Sequence, residues 1–122
     1  MDRQYFEQLV ADAVANLPEV IGERLDNVAI VVEDWPDRHT LQQARLRQPS
    51  HLLGFYHGVP LSRRGGGYGL VAPDRISIYR FPILLQAQDD GAVRTLVRHV
   101  VEHEIAHHFG IDDDRLRDLG AY

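Results

Sequence analysis

The sequence predicts a single α+β domain, with helices near both ends of the chain and short strands between them. Helical patterns with clear start or stop signals flank three runs that are rich in β-branched residues or alternate in polarity. A chain of 122 residues can build one modest core and leaves little room for a second. We therefore expect residues 1–122 to form one layered structure, with a small mixed sheet of about three strands packed on helices.

The first predicted element is an amphipathic helix over residues 4–17. Apolar residues recur there at helical spacing, and Pro18 interrupts the pattern. Asp2 stands where a capping side chain is needed. The helix should pack on the core through Phe6, Leu9, Val10, Ala13, Val14 and Leu17.

Three short strands are predicted in the middle of the chain. The β-branched run NVAIVVE at 27–33 is followed by the turn-forming segment DWPDR, and HLLGFYH at 51–57 is the second strand. Residues 38–50 between them are polar and ambiguous. The third strand, DRISIYRF at 74–81, alternates in polarity and stops at Pro82. It could run as an edge strand beside the last long helix and pair with an extended peptide.

A long helix is predicted from the capping pair Asp89 and Asp90 to about Phe109. Gly110 follows as the residue that ends the helix in the left-handed conformation. The acidic segment DDDRLRDLG after it predicts one last short helix.

The composition narrows the possible partners. The net charge of -5 argues against nucleic-acid binding, which usually needs a basic face. The chain has no cysteine, so a metal site would have to use His, Asp or Glu. The N-terminus does not resemble a signal peptide, and no run approaches the roughly 20 apolar residues that span a bilayer. We expect a cytoplasmic protein without a membrane partner; its oligomeric state stays open, with a monomer favoured.

Four of the seven histidines fall within residues 99–108, and this stretch contains HEIAH, an instance of H-E-x-x-H. Side chains four residues apart lie on one face of a helix, so His103 and His107 can bind one Zn²⁺. Glu104 stands close enough to receive a proton from a water at that metal. The motif therefore predicts a zinc site with Glu104 as general base.

Residues after the motif extend it to H-E-x-x-H-x-x-G-x-x-D. Gly110 lets the helix end and the chain turn back, so Asp113 can supply a third, oxygen ligand. Asp112 and Asp114 compete with Asp113 for that role, and one of the three aspartates is expected to cap the last helix.

The helical wheel adds an independent argument for Glu104. Val97, Val100 and Val101 place it in the middle of the apolar face, where an unpaired carboxylate is costly. A metal site beside it would reduce that cost; the alternatives are pairing with a buried arginine or protonation in the core.

The other two histidines of the stretch have different expected roles, since His99 lies too far along the helix to share the metal, and His108 is expected to be a core histidine with a partner.

Tyr56, Tyr68 and Tyr79 are candidates for stabilising an oxyanion, although simple packing explains any one of them as well.

With these residues, the chain resembles the zincin metallopeptidases, and more narrowly a family of small bacterial zincin-like metallopeptidases. The resemblance extends over VVEDWPD, LLGFYHGVPL, PDRISIYRFPIL and HVVEHEIAHHFGIDDDRL. It implies an α+β fold with the motif helix packed under a small sheet. It also implies zinc held by His103, His107 and Asp113, with Glu104 as general base. The aspartate replaces the third histidine of the metzincin pattern, and no Met-turn can follow, because Met1 is the only methionine.

The leading hypothesis is therefore a zinc-dependent metallopeptidase that hydrolyses peptides or proteins through a zinc-activated water. Only 15 residues follow His107, which leaves no lobe to form the far wall of a cleft. This motivates an alternative, a zinc-stabilised module that binds a peptide or protein without efficient turnover. A third possibility is a metal-free interaction domain in which the motif is a coincidence.

Overall fold

The computed structural model of the chain describes residues 1–22, 25, 28–58 and 74–110. The elements in these ranges are α1 (Arg3–Ala15), α2 (Glu19–Gly22), β1 (Val28–Glu33), α3 (Arg38–Gln43), a 3₁₀ turn (Pro49–His51), β2 (Gly54–His57), β3 (Asp74–Tyr79), α4 (Arg80–Gln86) and α5 (Asp90–His108). The predicted α+β class, with an N-terminal helix, a mixed three-stranded sheet and a long C-terminal helix, is confirmed. The short final helix predicted after Gly110 lies outside the described residues.

The strands are ordered β1-β3-β2. β1 runs parallel to β3, with Val28 opposite Asp74, and β2 runs antiparallel to β3, with Gly54 opposite Ile78. The expectation that the 74–81 segment could form an edge strand is wrong, because β3 lies in the centre of the sheet. The physical reason is burial on both faces, since every residue of β3 except Arg75 is buried.

The two faces of β3 contact different helices. Ile76 and Ile78 belong to the main hydrophobic cluster, together with apolar residues of α1 and α5. Successive side chains of a strand point to opposite faces, so Ser77 and Tyr79 lie on the other side. There the Tyr79 hydroxyl contacts Thr40 of α3. A helix in the ambiguous 38–50 segment thus contacts this second face at Tyr79.

Two strand boundaries differ from the predicted ones. β3 ends at Tyr79, and α4 begins at Arg80 instead of after the predicted strand. Pro82 stands in the first turn of α4, where a residue without an N–H breaks no helical hydrogen bond. The second strand is shorter than predicted, because the chain forms the 3₁₀ turn first and becomes a strand only at Gly54.

The predicted cap of α1 and both predicted ends of α5 are confirmed, whereas α1 ends at Ala15, two residues before the predicted end at Leu17. Asp2 accepts a hydrogen bond from the Tyr5 backbone N–H at 2.8 Å, and Asp89 accepts one from the Ala92 N–H at 2.7 Å. Such caps satisfy N–H groups that have no partner inside the helix. At its other end α5 runs to His108 with Phe109 as its C-cap, and Gly110 takes the left-handed conformation at φ 83°. No helix in the described ranges is long and apolar enough to cross a lipid bilayer.

Gly54 determines how closely α5 approaches the sheet. A Cβ atom at this position would lie 2.7 Å from Cγ1 of Val100, 3.3 Å from Cγ of Glu104 and 3.1 Å from the carbonyl oxygen of Ser77. Neighbouring atoms therefore occupy the space that any side chain would need. The absence of a side chain at Gly54 lets the motif helix pack directly on β2.

Replacing Gly54 by Ala should lower the free energy of unfolding by about 1–3 kcal/mol, because the added methyl group must displace Val100 or the strand. Urea denaturation measures this change. The control is Gly22→Ala, since a Cβ there has no atom of the described residues within 4 Å. That variant should stay within about 0.5 kcal/mol of the parent. Equal stabilities for the two variants would contradict the close approach.

Candidate metal centre

The C-terminal half of α5 brings His103, Glu104 and His107 together. One side-chain donor atom from each lies within 4.8 Å of the other two, so the three could hold one metal ion. The helix produces this grouping locally, because residues three and four apart lie on neighbouring positions of its surface. This is the group that the H-E-x-x-H spacing predicts.

The two imidazoles lie side by side at the more open part of the group. The ring centroids of His103 and His107 are 4.6 Å apart, with the ring planes inclined at 68°. Nδ1 of His107 lies 3.2 Å from Oε1 of Glu104, within hydrogen-bond distance. The side chain of His107 is 30% exposed and that of Glu104 is 8% exposed. A ligand can therefore reach the group from the histidine side, while the carboxylate is enclosed by protein.

Glu104 lies on the buried stripe of α5, as the helical wheel predicts. It follows Val97, Val100 and Val101 on that stripe, and the whole residue is 6% exposed. In the described part of the chain its basic neighbour is the imidazole of His107, and not a buried arginine. The carboxylate is thus held between the sheet and the two histidines.

His99 and His108 flank the group but do not belong to it. The His99 side chain is exposed, and its ring centroid lies 6.4 Å from that of His103. His108 is fully buried, and its Nδ1 lies 3.0 Å from Oδ2 of Asp74. The prediction of a core histidine with a partner is confirmed.

The candidate oxyanion tyrosines are placed differently from one another. Tyr79 faces α3 on the far side of the sheet, and burial raises the pKa of its hydroxyl. Because Tyr79 lies on the face of the sheet opposite to α5, its hydroxyl cannot reach His103, Glu104 or His107. The Tyr56 hydroxyl donates a hydrogen bond to Oδ2 of Asp74 at 2.5 Å. Tyr68 lies outside the described residues.

The third ligand stays a prediction, since Asp112, Asp113 and Asp114 lie outside the described residues. The backbone directly before them does turn as the motif requires. The N–H of Gly110 donates to the carbonyl of His107 at 2.9 Å, and the positive φ of Gly110 ends the helix there.

The donors present fit a zinc ion. Imidazole nitrogen and carboxylate oxygen are the ligands that zinc takes when no thiolate is available. The same set also suits Mn, Fe, Co and Ni, because these metals share a preference for nitrogen and oxygen donors. The residues His103 and His107 thus satisfy the chemical requirement of the predicted site.

Sequence reasoning missed two features of this region. The first is the role of Gly54, for which the signal was a glycine inside a strand, a common mark of close backbone approach. The second is the pairing of Asp74 with His108 and Tyr56, which joins residues far apart in the chain. Local patterning carries no signal for such a contact.

A comparison with family profiles gives a match over residues 25–121 to the family described as zincin-like metallopeptidase. The matched range includes all three strands and α5. A comparison with curated proteins gives no significant match.

The donor set predicts that the protein purified without chelator contains about one zinc per chain. The change His103→Ala should abolish this content, since it removes one of two adjacent imidazoles. Elemental analysis measures it. The matched control is His99→Ala, one turn earlier on the same helix, which should retain full zinc. Loss of zinc from both variants, or from neither, would contradict the assignment.

Proposed function

The chain belongs to the zincin-like metallopeptidase family, and from this premise we propose that it hydrolyses peptide bonds with a bound zinc ion and Glu104 as general base. One observation carries the proposal. The two imidazoles of the H-E-x-x-H motif lie beside a carboxylate that α5 buries against the sheet.

In this proposal His103, His107 and Asp113 hold the metal. The two histidines are already adjacent, and the positive φ of Gly110 ends the helix directly before the acidic residues of the motif. A zinc ion bound there would polarise the scissile carbonyl and lower the pKa of water. No cysteine competes for the metal, because the chain contains none.

Glu104 is the group proposed to move protons. Its carboxylate would take a proton from the attacking water and then deliver it to the nitrogen of the leaving amine. Packing against β2 restricts its side chain, and the contact with His107 keeps one oxygen on the histidine side. A base held in this way needs little reorganisation when the substrate arrives.

The position of β2 supports an extended peptide or protein as the substrate. Among the described strands, β2 pairs with β3 on one side only, and it packs on α5 through Gly54. An extended peptide could add to the other side of β2 by backbone hydrogen bonds, as edge strands allow. Such a peptide would run beside the helix that carries His103 and His107.

The same features also suit the alternative, a zinc-stabilised module that binds peptides without efficient turnover. The edge of β2 that pairs with no other described strand and the histidine pair would then serve binding and folding. The two functions differ in what Glu104 does, because a binding module needs no general base. A substitution at Glu104 therefore separates them.

Replacing Glu104 by Gln should leave zinc content unchanged and lower the rate of peptide cleavage about 10²–10⁴-fold, the usual contribution of a general base. The rate is measured on a peptide library, with zinc content determined on the same samples. Glu102 provides the matched control, because it is exposed on the same helix. Glu102→Gln should cleave at the parental rate. A Glu104→Gln variant as fast as the parent would refute the mechanism.

The third ligand has its own test. Asp113→Ala should weaken zinc affinity by at least about tenfold, since losing a ligand costs no less than losing a residue that orients one. Asp112→Ala and Asp114→Ala are the matched controls and should bind zinc within about twofold of the parent. Competition with a chromophoric chelator measures all three. The largest loss in one of the controls would move the ligand role to that residue.

A further inference from the structure

A buried polar cluster connects the last turn of α5, the helix that carries His103 and His107, to the sheet. Among the described residues it contains Tyr56 on β2, Asp74 at the start of β3, and His108 in the last turn of α5. His108 is fully buried and Asp74 is 3% exposed. Oδ2 of Asp74 lies 3.0 Å from Nδ1 of His108 and 2.5 Å from the Tyr56 hydroxyl. One carboxylate oxygen therefore contacts both partners.

The carboxylate is also confined by the backbone at the end of β2. A Cβ atom at Gly58 would lie 2.5 Å from Cγ and Oδ1 of Asp74, and 2.9 Å from the Tyr56 hydroxyl oxygen. The backbone of Gly58 thus closes one side of the cluster, while the ring of Tyr56 meets the ring of His108 edge to face at 5.6 Å. Asp74 has little freedom to move away from His108.

Burying such a polar cluster in the core has a free-energy cost. A buried carboxylate and imidazole lose their hydration, and well-packed apolar residues of similar volume are often at least as stabilising. Hydrogen bonds, however, have preferred directions, whereas apolar contacts allow a helix to rotate or slide. The cluster therefore fixes the rotation of α5 relative to the sheet and also stabilises the contact between them.

His108 is placed where a fixed orientation matters for the metal. It directly follows His107, and it lies one turn beyond Glu104 on the same buried stripe. Consecutive residues on a helix are about 100° apart around its axis. A hydrogen bond that fixes the direction of His108 therefore also fixes the directions of His107 and Glu104.

We propose that Asp74, Tyr56 and His108 are positioning residues of the metal centre. They hold the last turn of α5 at one rotation about its axis, so that His103 and His107 point to a common place. None of the three belongs to the group of metal donors, and they act through the backbone of α5. The proposal rests on the proposed function only in requiring that zinc binds at His103 and His107.

The test compares zinc affinity with stability. Chelator competition gives the affinity at a temperature where every variant is folded, and urea denaturation of the zinc-free protein gives the free energy of unfolding. Asp74→Ala should weaken zinc binding by about tenfold or more, the usual effect of removing a group that orients metal ligands. Asp74→Asn keeps one side-chain oxygen as an acceptor, so its zinc affinity should fall less than that of Asp74→Ala.

The matched control is Val93→Ala, a buried position on the same helix, about 15 Å before His103 at 1.5 Å per residue. It lowers stability without touching the cluster and should change zinc affinity by no more than about twofold. If Asp74→Ala does not fold, Tyr56→Phe removes one hydrogen bond and preserves the ring. This milder variant should bind zinc about threefold more weakly, in keeping with one hydrogen bond.

Parental affinity in a folded Asp74→Ala variant, or in Tyr56→Phe if Asp74→Ala does not fold, would overturn the proposal. The proposal would also be overturned if Val93→Ala and Asp74→Ala had the same free energy of unfolding and lost the same zinc affinity. The loss would then follow from general destabilisation. A parent protein that binds zinc but cleaves no peptide would refute the proposed function and leave the positioning role standing. A parent that binds no zinc would refute both.

Discussion

The structure depends on the close packing of α5 against β2, which the missing side chain of Gly54 makes possible. With no Cβ in the way, Val100 and Glu104 reach the strand directly. This contact buries the carboxylate of Glu104 and leaves His107, on the adjacent side of the helix, partly exposed. The same packing that builds the hydrophobic core therefore also separates an enclosed carboxylate from an accessible pair of imidazoles.

Two polar pairs interrupt the apolar stripe of α5. One lies within the helix, and the other joins the helix to the sheet. Glu104 contacts His107 within the helix, whereas His108 contacts Asp74 on the sheet. A small core gains little stability from either pair, because each requires charged or polar atoms to leave water. Their effect is directional, since the first pair orients two side chains within α5 and the second orients α5 relative to the sheet.

The features that the sequence predicted well are those encoded by neighbouring residues. The spacing of His103 and His107, the cap at Asp89 and the helix end at Gly110 all follow from local geometry. The central position of β3 did not follow. Its alternation suggests a strand with one exposed face, but Ser77 and Tyr79 are both buried, and Tyr79 contacts Thr40 in a helix of the polar 38–50 segment. The contact between Asp74 and His108 joins residues 34 positions apart, and only the folded chain brings them together.

The burial of Glu104 has a consequence for how this sequence can change over time. A leucine or methionine at this position would continue the stripe formed by Val97, Val100 and Val101, and it would remove the desolvation of a carboxylate. Selection for stability alone therefore favours loss of the acidic residue. Under the catalytic role proposed for Glu104, related sequences that have lost that role should change first at this position, and their folded state should become more stable.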